Sequence, residues 1–290
     1  MDQRTIGDRR VSALGYGGMY LSIQGRPSET QALATLRAVL DQGVTFIDTA
    51  DAYCLNDREV GHNERLIARA LRDAGASPDQ VLVGTKGGHI RPDGSWAVDG
   101  TPTHLRAACE ASLKALGVEA IGLYQFHRPD PKVPYAESIG AIADLQREGK
   151  VRMVGLSNVS VAQIETARRL VDVVSVQNQF NPWERRDEDN GVLQACAEHG
   201  IAYLPYSPFG GSGRAKELGE ISALAAVASR HNATPYQVVL AWLSAKSPVI
   251  IPIPCSTRVD GVKDNVAAAS LVLSAADVSE LDAMQPAAAR

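Results

Sequence analysis

Residues 151–178 read VRMVGLSNVSVAQIETARRLVDVVSVQN. Two apolar runs, Val151–Leu156 and Val173–Val176, bracket a helical pattern. Ser160 stands at the helix start with Gln163 three residues on, the spacing at which a hydroxyl and an amide cap each other's backbone. Ile164, Ala167 and Leu170 then recur at helical intervals. Runs that are apolar on both faces suit strands of a covered parallel sheet. A helix between two such strands is the crossover that a parallel pair requires.

The same alternation extends outward in both directions. Upstream, apolar runs centre on Leu14–Gly18, Thr45–Asp48, Val81–Thr85 and Ile121–Phe126; downstream, on Ile201–Leu204 and Val249–Pro252. Helical patterns fill the gaps. Ser28 is placed to cap the first, with Gln31 at the capping-box position and Leu33, Leu36 and Leu40 behind it. Others cover Glu64–Arg72, Thr103–Leu116, Glu137–Glu148, Gly191–His199 and Leu218–His231, and Pro235 suits the first turn of one running to about Lys246. Eight β-α units without a Pro/Gly/Ser-rich linker predict an α/β protein, a (β/α)8 TIM barrel forming a single domain over residues 1–290. Arg4–Val11, with Gly7-Asp8 at its turn, reads as a hairpin across the barrel's bottom, and the chain from about position 276 as a tail. The competing doubly wound fold needs GxGxxG between strand and helix; Gly15, Gly17 and Gly18 lack the third glycine, and the helix starts too late.

The bulk properties narrow the functional classes. A chain of 290 residues, 45% hydrophobic and 21% charged, can fill a large core. A formal charge of −4 gives no electrostatic case for nucleic acid or a membrane surface as partner. Met1–Arg10 is charged, with no apolar signal core, and no stretch has the length of a membrane span. Cys54, Cys109, Cys196 and Cys255 are scattered without a CxxC pair. This points to reduced thiols, a cytoplasmic protein and no metal site.

In such a barrel the chemistry sits at the C-terminal ends of the strands. There the sequence places Asp48 with Tyr53 five residues on, then Lys86, then His127. Each has an ordinary alternative taken alone: a cap, a packed ring, a surface lysine, a core histidine. Together they suit reduction of a carbonyl, which develops alkoxide charge and must gain a proton. Tyrosine, with a pKa near ~10, is a poor proton donor at neutral pH unless assisted. An ammonium such as Lys86 would lower that pKa, Asp48 would orient the ammonium, and His127 would position the carbonyl oxygen.

On these residues the chain resembles the aldo-keto reductase superfamily across almost its whole length. Phe46-Ile47-Asp48-Thr49-Ala50-Asp51-Ala52-Tyr53 is similar to its Asp-to-Tyr signature, and Lys86 and His127 fall where its remaining tetrad members belong. The resemblance implies an NADP-dependent oxidoreductase that interconverts an aldehyde or ketone and its alcohol by direct hydride transfer, with Tyr53 as proton donor. It implies that Gly18 and Met19 lie under the nicotinamide, that Ser157, Asn158 and Gln177 hold its carboxamide, and that Tyr206, in Tyr206-Ser207-Pro208, stacks on it. Gly210 and Gly211 would face the pyrophosphate. Ser256, Thr257 and Arg258 would receive the adenosine 2′-phosphate, with Asp264 and Asn265 at the adenine. Arg258 is the one cation in that immediate stretch. It favours NADP(H) over NAD(H), although Cys255 and Gly261 stand where relatives often carry other residues.

The expected substrate pocket comprises Tyr20, Tyr53, Trp96, His127 and Arg128, with Trp183 as a further candidate. The closing half, Gly200 to Ala267, is most similar to short-loop, pyridoxal-reductase-like bacterial members, which implies an open mouth and a small-molecule carbonyl or alcohol substrate. Monomer and oligomer both stay open. Two other functions compete: a Schiff-base aldolase using Lys86, and a regulatory module that binds cofactor without turnover.

Overall fold

The computed structural model describes residues 1–284. β1 (Gln3–Ile6) and β2 (Arg9–Ser12) form the expected N-terminal hairpin, paired antiparallel from Gln3–Ser12 to Ile6–Arg9. There follow β3 (Tyr16–Gly17), β4 (Phe46–Asp48) and β5 (Leu82–Gly87). A second small hairpin is β6 (His89–Ile90) with β7 (Ala97–Val98). The series ends with β8 (Ile121–Phe126), β9 (Val151–Ser157), β10 (Val173–Gln177) and β11 (Ala202–Tyr203). Apart from the hairpins, all are parallel and lie side by side in chain order, a seven-stranded sheet from β3 to β11.

The eighth run closes the ring without becoming a regular strand. Tyr203 N donates to Val249 O at 2.8 Å and Ile251 N to Tyr203 O at 2.9 Å. On its other side Gly15 N donates to Pro252 O at 2.9 Å and Gly17 N to Pro254 O at 3.0 Å. Pro252 and Pro254 have no N–H to return, so the ladder toward β3 runs in one direction only. The barrel is therefore complete in path, and its closing seam carries half the usual bonds.

The barrel's floor is filled by Phe46, Leu82, Leu123, Met153, Ala202 and Ile251, with Ile6 and Val11 of the hairpin packed among them. The helices are α1 (Glu29–Asp41), α2 (His62–Ala74), α3 (Pro102–Leu116), α4 (Tyr135–Arg147), α5 (Val161–Arg168), α6 (Arg186–Asp189), α7 (Val192–Glu198), α8 (Ser212–Ala215), α9 (Ser222–His231), α10 (Pro235–Lys246), α11 (Val259–Ala267) and α12 (Ala275–Asp282). The long ones ring the sheet: α1 packs on α2 and α11, α2 on α3, α3 on α4, and α10 on α9 and α11. Among the described residues no helix is long and apolar enough to cross a membrane.

Local signals and structure agree closely at α5, where Ser160 and Gln163 form the complete capping box. At α1 only half the expected box forms. Ser28 accepts from Gln31 N, but the Gln31 side chain donates to Thr257 O at 3.1 Å, tying α1 to the loop before α11. The expected helix over Leu218–His231 is a single 3-10 turn, Leu218–Glu220, followed by α9.

The expected tail is a correction. Residues 275–282 form α12, with Leu281 fully buried in the core. Asp282 accepts from Trp242 Nε1 at 2.8 Å and pairs with Lys246 at 2.6 Å. Positions 285–290 of that tail lie outside the described residues. A docked helix and a tail differ in energy. Leu281→Ala should lower the unfolding free energy by about 2–4 kcal/mol, read as a shift in urea midpoint at unchanged slope. An unaltered midpoint would leave the tail reading standing.

Candidate active site

The strand ends expected to carry chemistry converge on one buried contact. Asp48 closes β4 and Lys86 lies on β5; their Oδ2 and Nζ are 2.6 Å apart, and neither side chain is more than 3% exposed. Lys86 Nζ also donates to Thr49 O at 2.9 Å and to the Tyr53 hydroxyl at 3.0 Å. The other carboxylate oxygen of Asp48 accepts from Gln125 Nε2 at 3.0 Å and Gln177 Nε2 at 2.8 Å. Gln125 comes from β8 and Gln177 from β10, and Gly155 of the intervening β9 leaves them room. A Cβ there would stand 2.2 Å from Ser175 Oγ and 2.8 Å from Gln125 Cγ.

Tyr53 reaches the contact from the turn after β4, where Asp51 Oδ1 accepts from Ala52 N at 2.6 Å. His127 follows β8, its backbone N–H on Gly87 O at 2.9 Å. Its ring meets the Tyr53 ring edge-on at 5.8 Å and the His89 ring edge-on at 4.3 Å. Buried His127 Nδ1 has no partner among the described residues.

Burial governs the proton affinities here. It pulls the Lys86 ammonium down, and the Asp48 carboxylate offsets part of that. It pushes the Tyr53 phenol well above its ordinary 10.0, with the Asp48 charge adding to the rise. The net lowering expected from Lys86 is not found: burial outweighs the ammonium, and the phenol is held protonated. The His127 imidazole is held well below 6.5, first by burial and then by His89, Lys86 and Arg128, so it is neutral at physiological pH.

These groups face a cavity of about 300 Å³ whose lining includes the candidate residues Met19, Tyr20, Trp96, Arg128, Ser157, Asn158, Gln177, Tyr206, Ser207, Pro208 and Gly211, together with Gly17, Phe209 and Cys255. It continues past Tyr20, Phe209, Ser212 and Cys255 into a groove lined by Ser256, Thr257, Arg258, Asp264 and Asn265. Cavity and groove share Tyr20, Phe209, Ser212 and Cys255, and Asp48, Tyr53 and His127 line the cavity.

A model of the aldo/keto reductase family matches residues 13–286. The chain belongs to that family. It is 38% identical over 96% of its length to an uncharacterized oxidoreductase of Schizosaccharomyces pombe, spanning 88% of that protein. It is 32% identical to a probable aldo-keto reductase of Glycine max, over 93% of this chain and 84% of that one. An aldo/keto reductase from Klebsiella pneumoniae, solved with NADP and acetate, superposes with a TM-score of 0.82 at 27% identity, over 99% of this chain and 96% of that one.

Within this aldo/keto reductase some expected residues are placed differently. Gly18 turns against Asn63, where a Cβ would stand 2.6 Å from Oδ1, and Gly17 lines the cavity instead. Gly210 packs against Arg214 and Trp183, behind Gly211, and Trp183 lies under the Arg214 guanidinium rather than in the cavity. The Asp264 carboxylate is held by Thr234 Oγ1 at 3.0 Å and Gln237 Nε2 at 2.7 Å. The Asn158 amide is fully used: Arg128 and Tyr206 donate to its oxygen at 2.9 Å each, and its nitrogen donates to His127 O and Ser157 Oγ.

Sequence reading also missed contributors. Gln125 reads as an ordinary strand glutamine, yet it holds Asp48. Lys216 joins Arg258 on the groove from a distant loop. Gly261 is explained by contact: a Cβ there would stand 2.3 Å from Ser256 Oγ, which braces the backbone of Arg258. The aldolase alternative loses its lysine, because Nζ of Lys86 is sealed and its donors are spent on three oxygens.

The four thiols share one property. Burial pushes Cys54 to about 11 and Cys109, Cys196 and Cys255 to about 12. Thiolate is then scarce at neutral pH, so iodoacetamide at pH 7.5 should leave the folded enzyme unlabelled while labelling all four after denaturation. Mass spectrometry showing rapid loss of one native thiol would contradict this.

Proposed function

We propose that this enzyme is an NADP(H)-dependent carbonyl reductase, interconverting an aldehyde or ketone and its alcohol, with Tyr53 as proton donor. The observation that carries it is the Tyr53 hydroxyl, 3.0 Å from Lys86 Nζ, beside an unpartnered neutral imidazole at the floor of a cavity that runs into a cationic groove. The bound cofactor supplies the hydride. The protein's part is to fix the carbonyl oxygen and complete the proton inventory. A phenol held protonated is the donor the nascent alkoxide needs, and neutral His127 offers a second N–H to the same oxygen. Lys86 then stabilises the phenolate left behind, and Asp48 keeps that ammonium in place through Gln125 and Gln177. Scattered free thiols, three of the four buried, support a cytoplasmic setting.

The residues present fit the cofactor. Met19 and Tyr206 flank the cavity where a flat ring would lie, and Ser157, Asn158 and Gln177 supply amide and hydroxyl groups beside it. Gly211, at φ 92°, lines the cavity from the loop after β11. Arg258 is exposed and its hydrogen bonds are backbone ones, which leaves the guanidinium for a phosphate, with Lys216 across the groove.

Tyr53→Phe keeps the ring and removes the proton. The expected outcome is a folded protein with near-normal NADPH affinity and kcat reduced by at least ~10²-fold on any active carbonyl. Wild-type kcat in that variant would end the mechanism. Cofactor choice is separable. Arg258→Ala should weaken NADPH by roughly 10- to 150-fold, one charge-assisted pair of about 1.5–3 kcal/mol, with NADH little changed. Fluorescence titration of both cofactors decides this, and equal wild-type affinities would refute the phosphate assignment.

A further inference from the structure

We propose that His89 is a specificity-determining residue of this site, accepting a hydrogen bond from a hydroxyl on the carbon next to the substrate carbonyl. The inference rests on the carbonyl-reductase reading above and goes beyond it.

His89 opens the β6–β7 hairpin, whose rungs pair it with Val98 and Ile90 with Ala97. The ring's Nδ1 lies 2.9 Å from Ala97 O. A carbonyl oxygen only accepts, so Nδ1 carries the hydrogen. Burial holds the imidazole's pKa below its ordinary 6.5. A neutral ring with hydrogen on Nδ1 leaves Nε2 as a bare lone pair. That nitrogen has no hydrogen-bond partner among the described residues and is not among the sealed polar atoms, while the ring lines the cavity with Tyr53 and His127.

The ring is fixed on three sides, the first being the Ala97 carbonyl. Trp96 packs edge-on against it at 5.5 Å, and the Arg91 guanidinium lies 3.9 Å from the Trp96 ring centre. Arg91 is itself buried and donates to Gly94 O at 2.7 Å, locking the hairpin's tip. The third side is His127, at 4.3 Å. The polarities differ across this pair. In the proposed mechanism Tyr53 and His127 donate to a carbonyl oxygen, whereas His89 beside them is an acceptor that such an oxygen cannot use. A hydroxyl on the adjacent carbon places a donor within about one hydrogen-bond length, ~3 Å, of the carbonyl oxygen. It matches this donor–acceptor order; an alkyl group of the same size leaves Nε2 unpaired.

Near-isosteric pairs read this directly: hydroxyacetone against 2-butanone, and glycolaldehyde against propanal. Wild type should prefer the hydroxylated member in kcat/KM by about tenfold. His89→Asn retains an amide nitrogen near the Nδ1 position for Ala97 O and removes the distal acceptor. It should lower kcat/KM on the hydroxylated members by about tenfold and leave the others within about twofold. His89→Gln forfeits the hairpin bond but carries its amide oxygen to the distal position. It should keep the preference despite a lower melting temperature. Equal losses on both members in His89→Asn, or no preference in wild type, would overturn the assignment of His89 alone. Absence of turnover on all four substrates, and on a wider aldehyde panel, would overturn the carbonyl-reductase reading and this inference with it.

Discussion

The buried pair of Asp48 and Lys86 is the constraint on which the site depends. Taking both charges out of water costs several kcal/mol per ion, and their attraction recovers it only when the remaining polar atoms are satisfied. Here they are: Asp48 accepts from two glutamines on two further strands, and Lys86 donates to a backbone carbonyl and the Tyr53 hydroxyl. Those partners come from β4, β5, β8, β10 and the turn after β4, so the pair is satisfied only when the barrel is assembled in register. β5 pairs Lys86 with Gln125 of β8, and β4 pairs Asp48 with Gly84 of β5. A slip of one residue would turn Lys86 out of the barrel interior. Fold specificity and the acid–base cluster are thus one requirement.

That geometry also explains where charge is allowed. The phenol stays protonated and both imidazoles stay neutral because burial penalises their ionised forms. One ion pair is held beneath a layer of neutral polar groups. In the proposed reduction, developing negative charge on a substrate oxygen would meet preoriented O–H and N–H dipoles, with the cation behind them. The histidines carry a stability consequence as well. Their folded pKa values lie below 6.5, so they bind protons more readily when unfolded. Their contribution is complete above the unfolded value and is lost as pH falls through 6.5 toward the lower folded values.

Periodicity and strand-end polarity carried most of the fold and the core of the site. Asp48, Lys86 and His127 were legible because a charged or polar residue ending an apolar run has few places to go in a covered sheet. Other features were not legible, for physical reasons. Pro252 and Pro254 turn an apolar run into a half-bonded seam, an effect of missing N–H groups that hydrophobicity does not register. The alanine-rich end conceals a docked helix because its anchors, Leu281 in the core and Asp282 on Trp242, are long-range contacts. The direction of the Tyr53 shift needed the depth of burial, which composition does not reveal. Lys216 and Gln125 needed the topology that brings distant loops and strands together.

The two sides of the cavity are built on different principles. The His89 side is a hairpin closed by backbone pairing and stacked on a buried arginine, with its side chains preset. On the cofactor side two non-glycine residues sit at positive φ, Asn158 at 59° and Ser207 at 51°. Such conformations persist where surrounding bonds overdetermine them. Asn158 has four side-chain hydrogen bonds, and Ser207 has its carbonyl on Asn181 Nδ2 at 3.0 Å. Both residues flank Tyr206, whose hydroxyl bonds back to Asn158. A ligand amide binding at Asn158 must therefore exchange with Arg128 or Tyr206 rather than fill an empty valence. Arg128, one of those two donors, lines the same cavity as Asn158 and Tyr206.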